Sequence, residues 1–332
     1  MAQKVNKKDQ VWNELNVSHH DFMELAEEFD ITNYEDKFMN IIALFIITFS
    51  MLGILANILI VCTSYSKIKT NYRHFIANLA VVDIACCLVY IFMGYINILD
   101  LQTKLSVSMM TYSALAFYGS FGVMIWAVLP ISISRVLALT HSGAYKSLCY
   151  GGMSIIFCLL ADFLPVTLLY IISLQDYNSA RITFIFYGFI TVVAYVIAFV
   201  SNYMVFQIVA RHIHVVQNLQ DEARLLETRQ VAFATLAQAI VPLICQVPAF
   251  LTLSSAILLT EPITNSTIIT ITQLWLASSP LLDALITAVV IKQYRKQWKV
   301  YAGWLCSILR RTKQNKATLT VNLETNLLAT QL

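Results

Sequence analysis

The chain has 332 residues, 58% of them hydrophobic and only 12% charged, and its net charge is +3. A soluble domain carries about 25% charged residues, and a globule this long with half of that could not cover its surface. Composition therefore excludes a soluble enzyme, a disordered chain and a nucleic-acid binder, and leaves a polytopic membrane protein.

The charges are also segregated. Residues 1–37 hold 13 of them and residues 292–332 hold 9. The first stretch is polar and acidic, has no apolar core of the kind a signal peptide needs, and reads as an extracellular tail. Seven apolar segments follow, at about 38–65, 74–98, 107–139, 148–173, 182–210, 229–260 and 267–291. Each exceeds the roughly 20 residues a helix needs to cross a bilayer, and the short alternating repeats of a membrane β-barrel are missing. The expectation is an all-α membrane protein, a seven-transmembrane helix bundle over 38–291, with segments three and six the longest. Pro242 and Pro248 remove backbone donors inside segment six and predict kinks there, either static or able to bend two ways.

Residues 292–311 read as an amphipathic interfacial helix. Trp298, Tyr301, Leu305 and Ile308 share a face, and Lys296, Lys299, Arg310 and Arg311 supply contacts to membrane lipid headgroups. Cys306 stands where S-palmitoylation occurs, and a plain cysteine is the equal alternative. Residues 312–332 are polar and read as a disordered cytoplasmic tail.

Lys and Arg placement sets the orientation. The first, third and fifth connectors and the C-terminal tail carry 16 basic residues, against Lys104 and Arg181 in the opposite connectors. The N-terminus is thus expected outside and the C-terminus in the cytoplasm. The two glycosylation sequons, at Asn16 and Asn265, fall on the expected outside, and Asn16 is the better acceptor. The seven cysteines show neither a disulfide framework nor metal-ligand spacing, and read as packing residues apart from Cys306.

A charge at bilayer depth costs at least about 2.5–3.5 kcal/mol, so four positions inside the segments stand out: Asp83, Arg135, Asp162 and Asp283. With Asn57 and Asn78, the carboxylates Asp83 and Asp283 are expected to form a polar cluster, either a cation or water site that changes between conformations or a static network gluing helices. Asp162, three residues before Pro165, reads equally as part of a kink or as a ligand contact. The six histidines show no ligand spacing, neither H-E-x-x-H nor G-x-S-x-G occurs, and segment seven holds no lysine for a retinal Schiff base. No enzyme, metal or cofactor is expected. A transporter or a ligand-gated channel of seven helices is the rival class, though no internal repeat is visible.

The polar positions fall in a familiar order. Asn57 opens Asn57-Ile58-Leu59-Ile60-Val61, and segment two reads Asn78-Leu79-Ala80-Val81-Val82-Asp83. Segment three ends Ser134-Arg135-Val136, segment six contains Cys245-Gln246-Val247-Pro248, and segment seven contains Pro280-Leu281-Leu282-Asp283-Ala284. This resembles a rhodopsin-like G-protein-coupled receptor. Gln238-Ala239-Ile240-Val241-Pro242 and Ile291-Lys292-Gln293-Tyr294-Arg295 add a narrower likeness, to the nematode chemosensory serpentine receptors of the Str superfamily, most like the delta class. There are departures. Ser134 replaces the acid before the helix-three arginine, Gln246 the helix-six tryptophan, Ala284 the helix-seven proline, and Thr287 the tyrosine of that motif. No cysteine lies near the top of segment three or in the loop Ser173–Arg181, so the usual outer disulfide cannot form there.

The resemblance implies a plasma-membrane receptor, in a sensory cilium, that answers a small-molecule chemical cue and signals to a heterotrimeric G protein. It also allows a receptor oligomer. Arg135 matches the residue that meets the G protein, and Asp221, Glu222 or Glu227 is its expected resting partner, with snorkelling to the interface as the alternative. The implied pocket lies between the outer halves of segments three, five, six and seven. Phe117, Phe121 and Met124 form one stripe of segment three with Tyr118 beside it, and Tyr187, Gln246, Gln273 and Trp275 join from other segments; such a stripe is more often packing than pocket. Segment three has no outer carboxylate, which favours a neutral, largely apolar ligand over an amine.

Overall fold

The computed structural model describes residues 31–69, 72–98, 107–149, 151–212, 219–258 and 266–301, with 303 and 307. Asn16, Cys306 and residues 312–332 lie outside the described residues. Every described element is a helix. In chain order they are α1 (Ile31–Ser66), α2 (Arg73–Ile98), α3 (Val107–Thr140), α4 (Ser142–Leu148), α5 (Gly152–Leu174), α6 (Tyr177–His212), α7 (Leu219–Cys245), α8 (Val247–Leu258) and α9 (Ser266–Val290). Residues 292–301 form a further helical stretch, α10.

Apolar runs fold this way because a helix satisfies each backbone group within its own segment, which lipid demands. Small polar residues are accommodated by bonding back to the preceding turn. The hydroxyls of Ser50, Ser64, Ser132 and Thr235 donate to the carbonyls of Ile46, Ile60, Val128 and Val231. Among the described residues six helices, α1, α2, α3, α5, α6 and α9, are long and apolar enough to cross a membrane. This is the pattern of a multi-pass membrane protein.

Segment six departs from expectation. Its helix begins at Leu219 rather than near residue 229, and it breaks at Gln246 into α7 and the 12-residue α8. The break has a covalent cause. Pro248 has no N–H to give to the Ile244 carbonyl, and the ladder resumes only where the Phe250 N–H donates to the Gln246 carbonyl. The longest helices are α1 and α6, at 36 residues each, rather than segments three and six. The short α4 was not expected. It turns the chain between α3 and α5, and Gly151, at φ 61°, makes the left-handed step that starts α5.

α3 stands at the centre, packed against α2, α5, α6 and α7. α1 lies against α2 and α9, and α9 also meets α7. α5 and α6 carry exposed Leu160, Phe163, Tyr170 and Phe189 on their outward faces. Apolar patches on this scale suit contact with lipid, not water. In α10, Tyr294 is buried, Trp298 and Tyr301 are half-buried, and Lys296 and Lys299 are exposed.

Candidate functional site

A chain of polar contacts runs down the middle of the bundle. Asn57 of α1 donates from Nδ2 to the carbonyls of Gly53, 3.1 Å away, and Pro280, 3.2 Å away, tying α1 to α9. Asp83 of α2 and Asp283 of α9 are each only 1% exposed. With Asn57, Gln238 and Thr287 they line one tight polar gap, too narrow here to admit a water molecule, whose other walls are aliphatic. Gln238 of α7 closes the site by donating from Nε2 to the Thr287 hydroxyl at 2.7 Å and to the Asp283 carbonyl at 3.1 Å. One carboxylate oxygen on each aspartate, Oδ1, has no hydrogen-bond partner. Two negative charges facing one small gap repel, so this site calls for a compensating proton or cation.

Asn78 does not join this cluster. Its Nδ2 donates at 2.7 Å to Oδ2 of Asp162, so the pair ties α2 to α5 instead. The reason is register: Asn78 lies five residues before Asp83, which on a helix turns it well away from the α1 and α9 side. Asp162 thus acts as a helix-to-helix acceptor, and its Oδ1 has no hydrogen-bond partner.

Next along the axis comes the break in segment six. Gln246 is fully buried at the unwound residue, and its Nε2 donates to Ser279 Oγ of α9 at 2.9 Å and contacts Met124 Sδ of α3 at 3.1 Å. The pivot between α7 and α8 is thereby pinned to both neighbouring helices. On the opposite side of the aspartate pair from this break, the Asn202 amide of α6 donates to Ser132 Oγ of α3 at 2.8 Å, and its carbonyl oxygen accepts from Thr235 Oγ1 of α7 at 2.7 Å. Sequence reasoning missed this triad because Asn202 belongs to none of the motifs it followed. An asparagine inside a 36-residue apolar helix was the available signal.

At the end where α3 finishes, the Arg135 guanidinium lies 4.5 Å over the Tyr72 ring, a cation–π contact. The side chains of Asp221, Glu222 and Glu227 lie outside the described residues. Close by, Ser64 and Tyr294 share a hydrogen bond of 2.6 Å that fastens α10 to α1. Burial pushes the Tyr294 phenol up, with the Ser64 bond acting against it, so the hydroxyl stays neutral and available to this contact.

All the expected ligand residues except Trp275 sit in the interior. Phe117 packs edge-on against Tyr90 and Tyr118, with centroids 5.0 and 5.2 Å apart, and Phe121 meets Phe250 at 5.2 Å. Tyr187 donates to the Gly119 carbonyl, and Gln273 Nε2 donates to the Tyr118 hydroxyl at 3.1 Å. Trp275 is 47% exposed and turned outward, away from this group. The stripe on α3 is therefore a packed aromatic seam here. A cavity of ligand size, about 710 Å³, lies instead between α2, α3 and α5, and none of the eight expected residues lines it. Pro242 falls within α7, four residues before the break, and Pro248 begins α8.

No family model and no curated protein matches this chain.

Proposed function

We propose that the chain is a seven-helix G-protein-coupled chemoreceptor of the plasma membrane. In this reading α7 and α8 together make the remaining crossing, interrupted at Gln246. The N-terminus lies outside and the basic connectors with the C-terminal tail lie in the cytoplasm, as the excess of Lys and Arg favours. The resemblance in motif order to nematode chemosensory receptors supports a sensory cilium as the site of action, a small, neutral, largely apolar cue as the stimulus, and a heterotrimeric G protein as the partner.

The observation that carries this reading is the break at Gln246. A helix divided at one residue has two arrangements that differ by little, and a ligand can bias such a pair only through contacts that differ between them. Gln246 supplies those contacts, to Met124 and Ser279. Below it, the Asp83–Asp283 gap is closed in the present arrangement and opens to a cation or water in the other. Arg135 and the cytoplasmic end of α7 then present the surface a G protein meets.

The test is expression in a calcium-reporter cell with a promiscuous G protein, screened with volatile and soluble odorants. The receptor reading predicts a response that needs the G protein and is lost in Arg135→Glu at equal surface expression. A stimulus-gated current that persists without G protein would make the chain a channel.

A further inference from the structure

We propose that a trough on the outward face of α7 holds an anionic phospholipid, with the lipid phosphate on the Arg229 guanidinium and an acyl chain along Phe233. The inference requires only that the bundle sits in a membrane, and it stands whether or not the chain couples to a G protein.

The floor of the trough is one stripe of α7. Leu226, Arg229, Gln230 and Phe233 recur at i, i+3, i+4 and i+7, and Phe206 of α6 and Val290 of α9 form its walls. It encloses about 360 Å³, room for a phosphate group and part of one chain. Leu226 and Phe233 are 39% and 52% exposed, so the trough opens away from the bundle. Its walls fix its depth. Phe206 stands five residues before Arg211, where the apolar stretch of α6 ends, and Val290 is the last residue of the apolar stretch of α9. The trough therefore lies at the boundary between hydrocarbon and lipid headgroups.

The charge at this boundary selects the occupant. The Arg229 guanidinium lies 5.1 Å over the Phe206 ring. Stacking engages the face of the guanidinium and leaves its N–H edge able to grip a phosphate through two bonds. Among the described residues Arg229 has no ion-pair partner. Two more cations stand by. Lys292 is exposed and gives its backbone N–H to Gln230 Oε1 at 3.4 Å. Arg295 is held beside the Val290 wall, its Nη1 donating to the Val289 carbonyl at 3.4 Å. A choline headgroup would bring its own cation into this company, whereas a net negative headgroup does not. The acids of α7 do not cancel the effect: Glu227 lies about 200° round the helix from Arg229, and Asp221 and Glu222 lie about 10 Å or more farther along its axis. A soluble anion would satisfy Arg229 and leave Leu226 and Phe233 uncovered. An anionic phospholipid covers both and arrives by lateral diffusion. In the proposed orientation this end of the bundle lies in the cytoplasmic leaflet, where such lipids concentrate.

The experiment uses the full chain in phosphatidylcholine nanodiscs with a trace of a photoreactive phosphatidylserine that carries a diazirine on one acyl chain. A phosphatidylcholine probe with the same chains serves as its pair, and labelled peptides are mapped by mass spectrometry after illumination. The phosphatidylserine probe should label the stretch around Leu226 to Phe233, with the ends of α6 and α9, at least about fivefold more than the phosphatidylcholine probe, the factor one cation at the membrane surface supplies. Arg229→Gln should lower that preference about fivefold and leave labelling on α5 unchanged. Arg229→Lys keeps the charge without the stacked fork and should retain part of it. Should Arg229→Gln not fold, the two probes in the parent chain decide. Equal labelling by both probes would reduce the site to an apolar groove filled by any acyl chain, and would overturn the proposal. So would loss of the phosphatidylserine labelling in millimolar inorganic phosphate, which would mark a site for soluble anions, or a preference unchanged in Arg229→Gln.

Discussion

Gly122 shows how closely single residues set this bundle. A Cβ built there would fall 2.1 Å from the Tyr187 hydroxyl oxygen and 2.6 Å from the ring carbon that bears it. Only a residue without a side chain lets the Tyr187 ring lie against α3 and donate to the Gly119 carbonyl. Gly122→Ala should therefore destabilise the protein by about 1–3 kcal/mol, the usual cost of overpacking, read as a lower melting temperature in detergent. Tyr187→Phe in that background removes the nearest atom and should restore part of the loss. An unchanged melting temperature in Gly122→Ala would contradict the packing described.

The two aspartates make a second prediction at this scale. Because Asp83 and Asp283 share one gap, their replacements by Asn should not add. The double-variant cycle should show a coupling of at least about 0.5 kcal/mol, whereas independent sites agree within about 0.3–0.5 kcal/mol. Both residues were legible in the sequence, since an acid inside an apolar segment is conspicuous and the motif order placed the two together. The partner of Asp162 was not legible. The five-residue spacing from Asp83 could have turned Asn78 away from α9, but that this other face of α2 meets Asp162 of α5 depends on the packed bundle, which no local pattern encodes. The outward turn of Trp275 escaped for the same reason, since a large aromatic reads alike as core or as lipid surface.

Among the elements, segment six matters most. Its two prolines announced an irregular helix, but neither spacing nor hydropathy placed the break at Gln246 or brought that side chain to Met124 and Ser279. Pro248→Ala returns an N–H to the Ile244 carbonyl and should join α7 to α8. Spin labels at the exposed positions Phe233 and Leu251 would then report a narrower distance distribution than in the parent chain, and the response to any stimulus should fall while surface expression holds. A distribution as broad as the parent's would mean that Pro248 does not cause the bend. The remaining segments were well drawn by apolar length alone, because a bilayer imposes one dimension on every crossing.

For the whole molecule, the few charges do most of the organising. They are nearly excluded from six long apolar helices, and the basic ones gather in alternate connectors and the tail. The proposed orientation rests on that bias, and Asn16 offers an independent check. Endoglycosidase treatment should shift the mass of the parent chain and not of Asn16→Gln if the N-terminus faces outward. No shift in either, together with protease protection of the N-terminal tail, would invert the topology and take the receptor reading with it.

The most direct measurement of that reading is nucleotide exchange on a purified heterotrimeric G protein by the chain in lipid nanodiscs, with and without a stimulus found in the cell screen. The receptor account predicts that the stimulus accelerates exchange about tenfold or more and that Arg135→Glu abolishes the acceleration. Unchanged exchange, with an ion flux into vesicles that hold the chain and no G protein, would contradict it.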